Sequence, residues 1–251
     1  MLLRQLFDRE TSTYTYLLAD PSTREALLID PVLEQVDRDG ALIRELGLTL
    51  RYVLDTHVHA DHVSAAGALR ERVGAKTVAG VGGAPCANRH MKDGDTLTLG
   101  ALALLALATP GHTDDSMSFQ VGDELFTGDA LLVRGTGRTD FQNGDPGTLY
   151  DSITRVLFAR PDHTRIWPGH DYRGFASTTV GEERAHNPRV AGKSRAEFIS
   201  IMKNLGLPKP AQIDRAVPLN KGCGVLNQEA PTPSVRDIEP SELAALRDVR
   251  I

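Results

Sequence analysis

Three histidines and one aspartate stand within six consecutive residues, the His-Val-His-Ala-Asp-His run at positions 57–62. The preceding segment, residues 51–55, has the pattern of a short buried strand, so the run begins where that strand ends. Structural histidines have no need of this spacing, whereas a metal site requires several ligands that converge from one loop. The run therefore predicts metal chemistry. Its candidate ligands are His57, His59, Asp61 and His62.

Three further candidate ligands follow other strand-like segments later in the chain. They are His112, Asp129 and His170, in the sequences Pro-Gly-His-Thr, Gly-Asp-Ala and Pro-Gly-His-Asp. Each has a turn-forming glycine directly before it, which indicates a loop. Because an α/β scaffold gathers such loops at one edge of a sheet, we expect these side chains to meet those of the 57–62 run.

The charge and hydropathy of the chain exclude two classes of partner. With 33 acidic and 28 basic residues the formal net charge is −5, and the basic residues form no stripe that would neutralise phosphates. The longest apolar stretch, Leu99–Ala108, is shorter than the roughly 20 residues that a membrane helix needs, and the first residues lack a secretory signal. We expect no nucleic acid partner, no membrane association and a cytoplasmic location.

Cysteine usage favours the same location. The chain has two cysteines, Cys86 and Cys223, and their spacing matches no disulfide framework. We predict that they form no disulfide, as is usual in a reducing compartment. Cys223 is interpreted as a small buried apolar residue rather than a reactive thiol.

The periodicity of apolar residues predicts alternating strands and helices in the first part of the chain. The predicted elements are a hairpin within residues 14–29, helices near 34–46, 63–73 and 149–157, and strands at 51–55, 76–79 and 165–167. After Tyr172 the pattern turns helical and polar. We predict a catalytic domain over residues 1–175 and, over 176–251, an extension that packs on this domain rather than an independent domain.

The metal motifs, taken in order, resemble those of the metallo-β-lactamase superfamily. The ordered set consists of the 57–62 run and the three short motifs around His112, Asp129 and His170. The resemblance implies an α/β fold, a four-layer αββα sandwich, followed here by a short C-terminal helical extension.

Segments outside the metal motifs resemble the persulfide dioxygenases, the family of the ethylmalonic encephalopathy protein. They are Gly-Thr-Gly-Arg-Thr-Asp-Phe at 135–141, Glu-Glu-Arg at 182–184, Asn-Pro-Arg at 187–189, Leu-Gly-Leu-Pro-Lys-Pro at 205–210 and Cys-Gly-Val at 223–225. The resemblance covers nearly the whole chain. One departure is Thr136, which stands where members of this family can have cysteine in a Gly-Cys-Gly-Arg run.

This resemblance implies a mononuclear non-haem iron enzyme, with one Fe(II) per chain held by His57, His112 and Asp129. Two histidines and one carboxylate leave positions on the metal open for a sulfur donor and O₂. The implied reaction is the oxidation of glutathione persulfide by O₂ and water to sulfite and glutathione, in sulfide and persulfide detoxification. A persulfide-generating enzyme, such as a rhodanese or a sulfide:quinone oxidoreductase, is the expected functional partner, and the sequence leaves a homodimer open.

Four candidate ligands lie outside that iron set, namely His59, Asp61, His62 and His170. They either support the iron ligands through hydrogen bonds or hold a second metal ion. The second case corresponds to the alternative function, a binuclear zinc hydroxyacylglutathione hydrolase of the glyoxalase II type.

Arg138 and Tyr172 are the candidate substrate-binding residues, because each is close in sequence to a metal motif. The planar guanidinium of Arg138 suits a glutathione carboxylate, and Tyr172 offers an aromatic ring with a hydroxyl. Each also has a structural alternative. For Arg138 it is an ion pair with Asp140, and for Tyr172 a half-buried core position.

Overall fold

Two six-stranded sheets form the centre of the structure, a computed structural model in which residues 1–225 are described. In spatial order, the first sheet contains β1 (Leu2–Asp8), β2 (Thr13–Ala19), β3 (Glu25–Ile29), β4 (Thr49–Leu54), β5 (Lys76–Gly80) and β6 (Arg89–Met91). The second sheet contains β7 (Thr96–Leu99), β8 (Leu102–Ala108), β9 (Met117–Val121), β10 (Glu124–Gly128), β11 (Arg165–Pro168) and β12 (Thr178–Thr179). Strands β3 to β6 run parallel, as do β10 and β11.

The helices cover the outer faces of these sheets. They are α1 (Val36–Glu45), α2 (Ala66–Val73), α3 (Pro146–Asp151), α4 (Val180–His186), α5 (Arg195–Lys203) and α6 (Ile213–Lys221). A π-helical segment, Ser152–Leu157, continues α3. None of the described helices has the length and apolarity that a membrane crossing requires.

The period-two alternation of strand side chains explains why both faces of a sheet are covered. In β2, Tyr16 and Leu18 point into the core between the sheets, where they join Phe119 of β9. Leu17 and Ala19 point to the opposite face of β2 and belong to a second cluster with the apolar faces of α1 and α2. A third cluster places α3 and α5 on the outer face of the second sheet. The order of layers is helix, sheet, sheet, helix, which confirms the αββα sandwich.

Two elements differ from the sequence expectations. β1 pairs with β2 at the edge of the first sheet, although its residues carry no clear alternation of buried and exposed positions. The sequence did not predict α6, because Pro218 lies inside this helix and removes a backbone donor there. The hairpin predicted within residues 14–29 is present as β2 and β3, which pair antiparallel.

Residues 176–225 lie against the sandwich rather than apart from it. α5 contacts α3, and its Phe198 is buried in the third cluster. Residue Tyr150 of α3 donates its hydroxyl hydrogen bond to the carbonyl of Lys193, over 2.7 Å. The remainder of the predicted extension, residues 226–251, lies outside the described residues, and the boundary at residue 175 stays a prediction.

The two cysteines form a disulfide, so the prediction that they stay unpaired is wrong. Cys86 and Cys223 are 137 residues apart in sequence, but their Cα atoms are 5.9 Å apart. The fold causes this proximity, because the loop between β5 and β6 and the residues after α6 both pack beside α2. A spacing rule cannot detect such a pair. One premise of the cytoplasmic prediction is therefore removed.

We expect the Cys86→Ser variant to lose about 2–5 kcal/mol of unfolding free energy, because the disulfide closes a long loop and so restricts the unfolded chain. Urea unfolding of the metal-free protein under oxidising conditions measures this loss. Adding a reductant should bring the wild type down to the stability of the variant and leave the variant unchanged. Two freely reactive thiols in the untreated wild type would contradict the disulfide.

Candidate active site

A cavity of about 720 Å³ lies where the loops after β4, β8, β10 and β11 meet. Five of the predicted ligands line it, namely Asp61, His62, His112, Asp129 and His170. The other two, His57 and His59, are buried beneath it, and their ring centroids are 4.2 Å apart. The structure thus brings all seven predicted ligands together at the strand ends.

Gly128 allows two of these strand ends to approach each other. It ends β10 with a φ of +50°, and a Cβ atom there would lie 2.5 Å from Oγ1 of Thr56. Thr56 follows β4 of the other sheet. A larger residue at 128 would therefore push apart the segments that carry His57 and Asp129.

His57, His112 and Asp129 form one potential metal-binding group, whose ligand atoms all lie within 4.8 Å of one another. The Nε2 atom of His112 is 3.6 Å from Oδ2 of Asp129. Nδ1 of His112 donates to the carbonyl of Arg138 over 2.6 Å, so its Nε2 is the unprotonated nitrogen of the neutral ring. This is the nitrogen that faces Asp129.

The tautomer of His57 follows from its neighbour Thr56. The Thr56 hydroxyl donates to the carboxylate of Asp30 over 2.9 Å, so it can only accept from Nδ1 of His57, 3.0 Å away. Nε2 of His57 is then free to bind a metal. Burial, together with the neighbouring imidazoles of His59 and His112, holds the pKa of His57 well below its usual value. A neutral imidazole is the form that coordinates metal ions.

His170 connects two carboxylates. Its Nδ1 is 2.7 Å from Oδ1 of Asp129, and its Nε2 is 2.9 Å from Oδ2 of Asp61. Burial alone would lower the pKa of His170, but the two carboxylates outweigh it and raise that pKa well above the usual value. Burial would likewise raise the pKa of Asp129, and His170 reverses this and lowers it. Both ring nitrogens of His170 are therefore engaged, which suits a supporting role.

His59, Asp61 and His62 form a second potential metal-binding group. His59 Nε2 is 3.1 Å from the Asp30 carboxylate, and His62 Nδ1 is 2.8 Å from that of Asp61. The opposite nitrogens, Nδ1 of His59 and Nε2 of His62, are buried and have no hydrogen-bond partner in the described part of the chain. Free buried nitrogens of this kind fit a metal ion, since an unpaired buried polar atom is costly.

The pKa values of His59 and His62 are shifted in opposite directions. Burial would lower the pKa of His59, but the Asp30 carboxylate outweighs it and raises that pKa to about 9. Burial lowers the pKa of His62, with Asp61 only partly offsetting the effect. The pKa of His59 is therefore raised and that of His62 lowered, because only at His59 does a carboxylate outweigh burial.

Arg138 lines the cavity, and its guanidinium is already paired. It forms a two-point interaction with the Asp140 carboxylate, at 2.6 and 2.7 Å, and donates to the carbonyl of Pro208 over 2.6 Å. The structure thus contains the ion pair that was the structural alternative for this residue. Its substrate-binding role stays a prediction.

Tyr172 also lines the cavity but is not a core residue, since it is 72% exposed. Its ring stacks on His170 with an angle of 4° between the planes and 6.0 Å between the centroids. The half-buried core position is therefore excluded for Tyr172. The ring forms a wall between the supporting imidazole and solvent.

Arg189 is a site residue that the sequence reasoning did not assign. It lines the cavity and donates to the backbone carbonyl and hydroxyl of Thr136, at 2.7 and 3.0 Å, and no carboxylate pairs with it among the described residues. Burial, with the nearby Arg173, lowers the pKa of Arg189. The signal was present in the Asn-Pro-Arg motif, where Asn187 is buried and holds the carbonyl of Gly135.

The matching family is the Metallo-beta-lactamase superfamily, over residues 8–170. The αββα layers and the ligands gathered at the strand ends agree with this match. The chain belongs to this superfamily.

The relatives narrow the assignment. The chain is 50% identical over 228 residues to the mitochondrial persulfide dioxygenase ETHE1 of Homo sapiens, a match that covers 90% of this chain and 89% of the human protein. The crystal structure of ETHE1 from Myxococcus xanthus has a TM-score of 0.89 and 63% identity, covering 90% of this chain and 100% of that one. Within the superfamily, the chain belongs to the persulfide dioxygenase family.

A more distant solved structure is that of a protein with bound iron. The crystal structure of TTHA1623 in a di-iron-bound form has a TM-score of 0.62 and 28% identity, covering 74% of this chain and 98% of that one. Among the described residues, the two ligand groups above could each hold a metal ion, as could a third group, Asp30, Asp55 and His59.

We expect Asp129→Ala to weaken Fe²⁺ binding by more than roughly 100-fold, because loss of a supporting group alone typically costs about 10- to 100-fold in metal affinity. An anaerobic titration in competition with a metal-sensitive dye measures the dissociation constant. Asp123→Ala is the matched control, since Asp123 is 71% exposed at the turn after β9. Equal affinity of the two variants would remove Asp129 from the ligand set.

Proposed function

We propose that this protein oxidises glutathione persulfide with O₂ and water to sulfite and glutathione, and that one Fe(II) ion is held by His57, His112 and Asp129. The observation that carries the proposal is the 50% identity to the human persulfide dioxygenase across 90% of the chain. The oxidation state of the terminal sulfur rises as its bond to the glutathione sulfur breaks, and O₂ accepts the electrons. Two oxygen atoms from O₂ and one from water end on sulfite, so no external reductant is needed.

The proposed ligand group fits iron by its chemistry. Two imidazoles and one carboxylate with further positions open are the usual ligand set of non-haem Fe(II) oxygenases. When bound, Fe(II) supplies a redox-active centre with room for both substrates. The 50% identity to the human persulfide dioxygenase favours this reaction over the zinc hydrolase alternative.

The chain contributes the orientation of the three ligands. The Thr56 hydroxyl and the Arg138 carbonyl fix the rings of His57 and His112 through their Nδ1 atoms. His170 holds Oδ1 of Asp129 and leaves Oδ2 on the side of His112. Ligands held in this way need little rearrangement when substrate binds.

We propose that His59, Asp61, His62 and His170 support this single iron. His170 does so through its hydrogen bond to Asp129. The free nitrogens of His59 and His62 are the observation that speaks for a second metal ion, and metal analysis decides between one and two ions per chain.

The cavity wall suits glutathione, which carries two carboxylates and one ammonium group. The guanidinium of Arg189, which pairs with no carboxylate within residues 1–225, offers a planar site for a carboxylate. Glu10 and Glu34 also line the cavity and can accept the ammonium group. Tyr172 and Arg138 complete the proposed set of substrate contacts.

Three further expectations accompany the reaction. The cytoplasmic location, homodimer formation and a functional link to a rhodanese or a sulfide:quinone oxidoreductase stay predictions. The human relative is named as mitochondrial, and that name describes the human protein.

The reaction itself is tested with protein loaded anaerobically with Fe(II), in an oxygen electrode. We expect O₂ uptake on addition of glutathione persulfide, with one sulfite formed per O₂ consumed, because both atoms of O₂ end on one sulfur. Glutathione alone should cause no uptake. Two zinc ions per chain, no O₂ uptake and cleavage of S-lactoylglutathione would together overturn the proposal.

For Arg189→Ala we expect the Michaelis constant for glutathione persulfide to rise about 10- to 100-fold, because a hydrogen bond to a charged group contributes about 1.5–3 kcal/mol. Iron content should stay at the wild-type level, since Arg189 touches no proposed ligand. Steady-state O₂ uptake gives the constant, and Arg155→Ala is the matched control because Arg155 is 78% exposed.

Arg138→Ala should also keep its iron and raise the Michaelis constant. The Asp140→Asn variant separates direct binding from positioning. If Arg138 binds substrate itself, its release from Asp140 leaves the Michaelis constant for glutathione persulfide unchanged or lowers that constant. A rise in the constant on Asp140→Asn would show that the ion pair only positions the loop, and an unchanged constant in Arg138→Ala would remove the residue from the site.

A further inference from the structure

Asn220, near the end of α6, is hydrogen-bonded to the loop that carries the metal-binding run. It is 3% exposed. Its side-chain amide donates to the backbone carbonyls of His59 and His62, over 2.9 and 2.8 Å. Its side-chain oxygen accepts from the backbone N–H of Ser64 over 2.8 Å. One buried side chain therefore pairs with three backbone groups of a segment more than 150 residues away in sequence.

These contacts determine the course of the loop between β4 and α2. A loop that carries several ligands cannot satisfy its backbone groups through regular secondary structure, so buried groups need side-chain partners. A planar amide can donate twice and accept through its oxygen, which matches two carbonyls and one N–H. The carbonyls belong to His59 and His62, so their rings turn if these backbone groups move.

The segment after Asn220 is fixed to the same region. The carbonyl of Cys223 accepts from Gly67 N–H over 2.7 Å, and the Cys86–Cys223 disulfide attaches the segment covalently to the loop between β5 and β6. A Cβ atom at Gly224 would lie 2.0 Å from the carbonyl oxygen of Ser64. The backbone there approaches the metal loop as closely as glycine allows, so Asn220 has little freedom to withdraw.

We infer that Asn220 is a positioning residue for the metal centre and that the Cys86–Cys223 disulfide holds it against the metal loop. Asn220 does not line the cavity, so it acts through His59 and His62 rather than on substrate. The inference rests on the proposed metal centre but not on the reaction that takes place there.

The test compares Asn220→Asp with the wild type and with Lys221→Ala, an exposed neighbour on the same helix. Aspartate has the same shape and still accepts from Ser64, but it cannot donate to the two carbonyls. Hydrogen–deuterium exchange of residues 58–64 in the metal-free protein reports on the loop without any catalysis. Transfer of Fe²⁺ to a chelator reports on metal retention.

In Asn220→Asp we expect backbone exchange in residues 58–64 and loss of Fe²⁺ to the chelator each to accelerate roughly 10-fold or more, as is typical when support for a metal ligand is lost. The maximal rate should fall while the Michaelis constant stays near the wild-type value. Reduction of the disulfide in the wild type should accelerate exchange in the same residues. Lys221→Ala should match the wild type in every measurement.

Unchanged loop exchange and unchanged Fe²⁺ retention in Asn220→Asp would overturn the inference. If Asn220→Asp fails to fold, exchange of residues 58–64 in the reduced wild type still tests whether the segment around Asn220 holds the loop. A wild type that consumes no O₂ would count against the proposed reaction alone, since exchange in the metal-free loop is independent of it.

Discussion

The buried imidazole of His170 joins the two sheets at the centre of the site. It lies between Asp129, which follows β10 of the second sheet, and Asp61, from the loop after β4 of the first. Thr13 of β2 adds a contact of 3.1 Å. Two half-buried carboxylates on either side of one ring would disfavour each other's ionised forms, and the ring between them reverses that effect and lowers the pKa of both. One side chain thus links the two sheets at the site and orients one proposed ligand.

Each proposed iron ligand is held in place through an atom other than the one that faces the other two ligands. Asp129 is held by one carboxylate oxygen, and the rings of His57 and His112 by their Nδ1 atoms. The partners of the two rings are the Thr56 hydroxyl and the backbone carbonyl of Arg138, so the positions of these partners follow from the fold. Pre-organised ligands of this kind keep metal geometry fixed while substrates exchange.

What the sequence predicts well here is local. The 57–62 run follows a strand that periodicity identifies, and the short motifs at His112 and Asp129 are distinctive without any knowledge of contacts. The disulfide and the role of Arg189 depend instead on which distant segments meet, which spacing does not encode. Cys86 lies in a loop of the first sheet, and Arg189 reaches Thr136 from beyond α4. The layered fold itself came from resemblance to a family rather than from periodicity.

The proposed iron ligands and some of the residues around them come from different parts of the chain. The superfamily match ends at residue 170, and every proposed iron ligand lies within it. Later residues add to the site, since Tyr172 and Arg189 line the cavity beside Arg138, which lies within the match, and Asn220 is hydrogen-bonded to the metal loop. A fold shared by proteins of different function acquires each function through the particular residues of its site. In this protein, residues 171–225 therefore add side chains to a cavity that the matched segment also lines, so the surroundings of the proposed iron ligands are built from both parts of the chain.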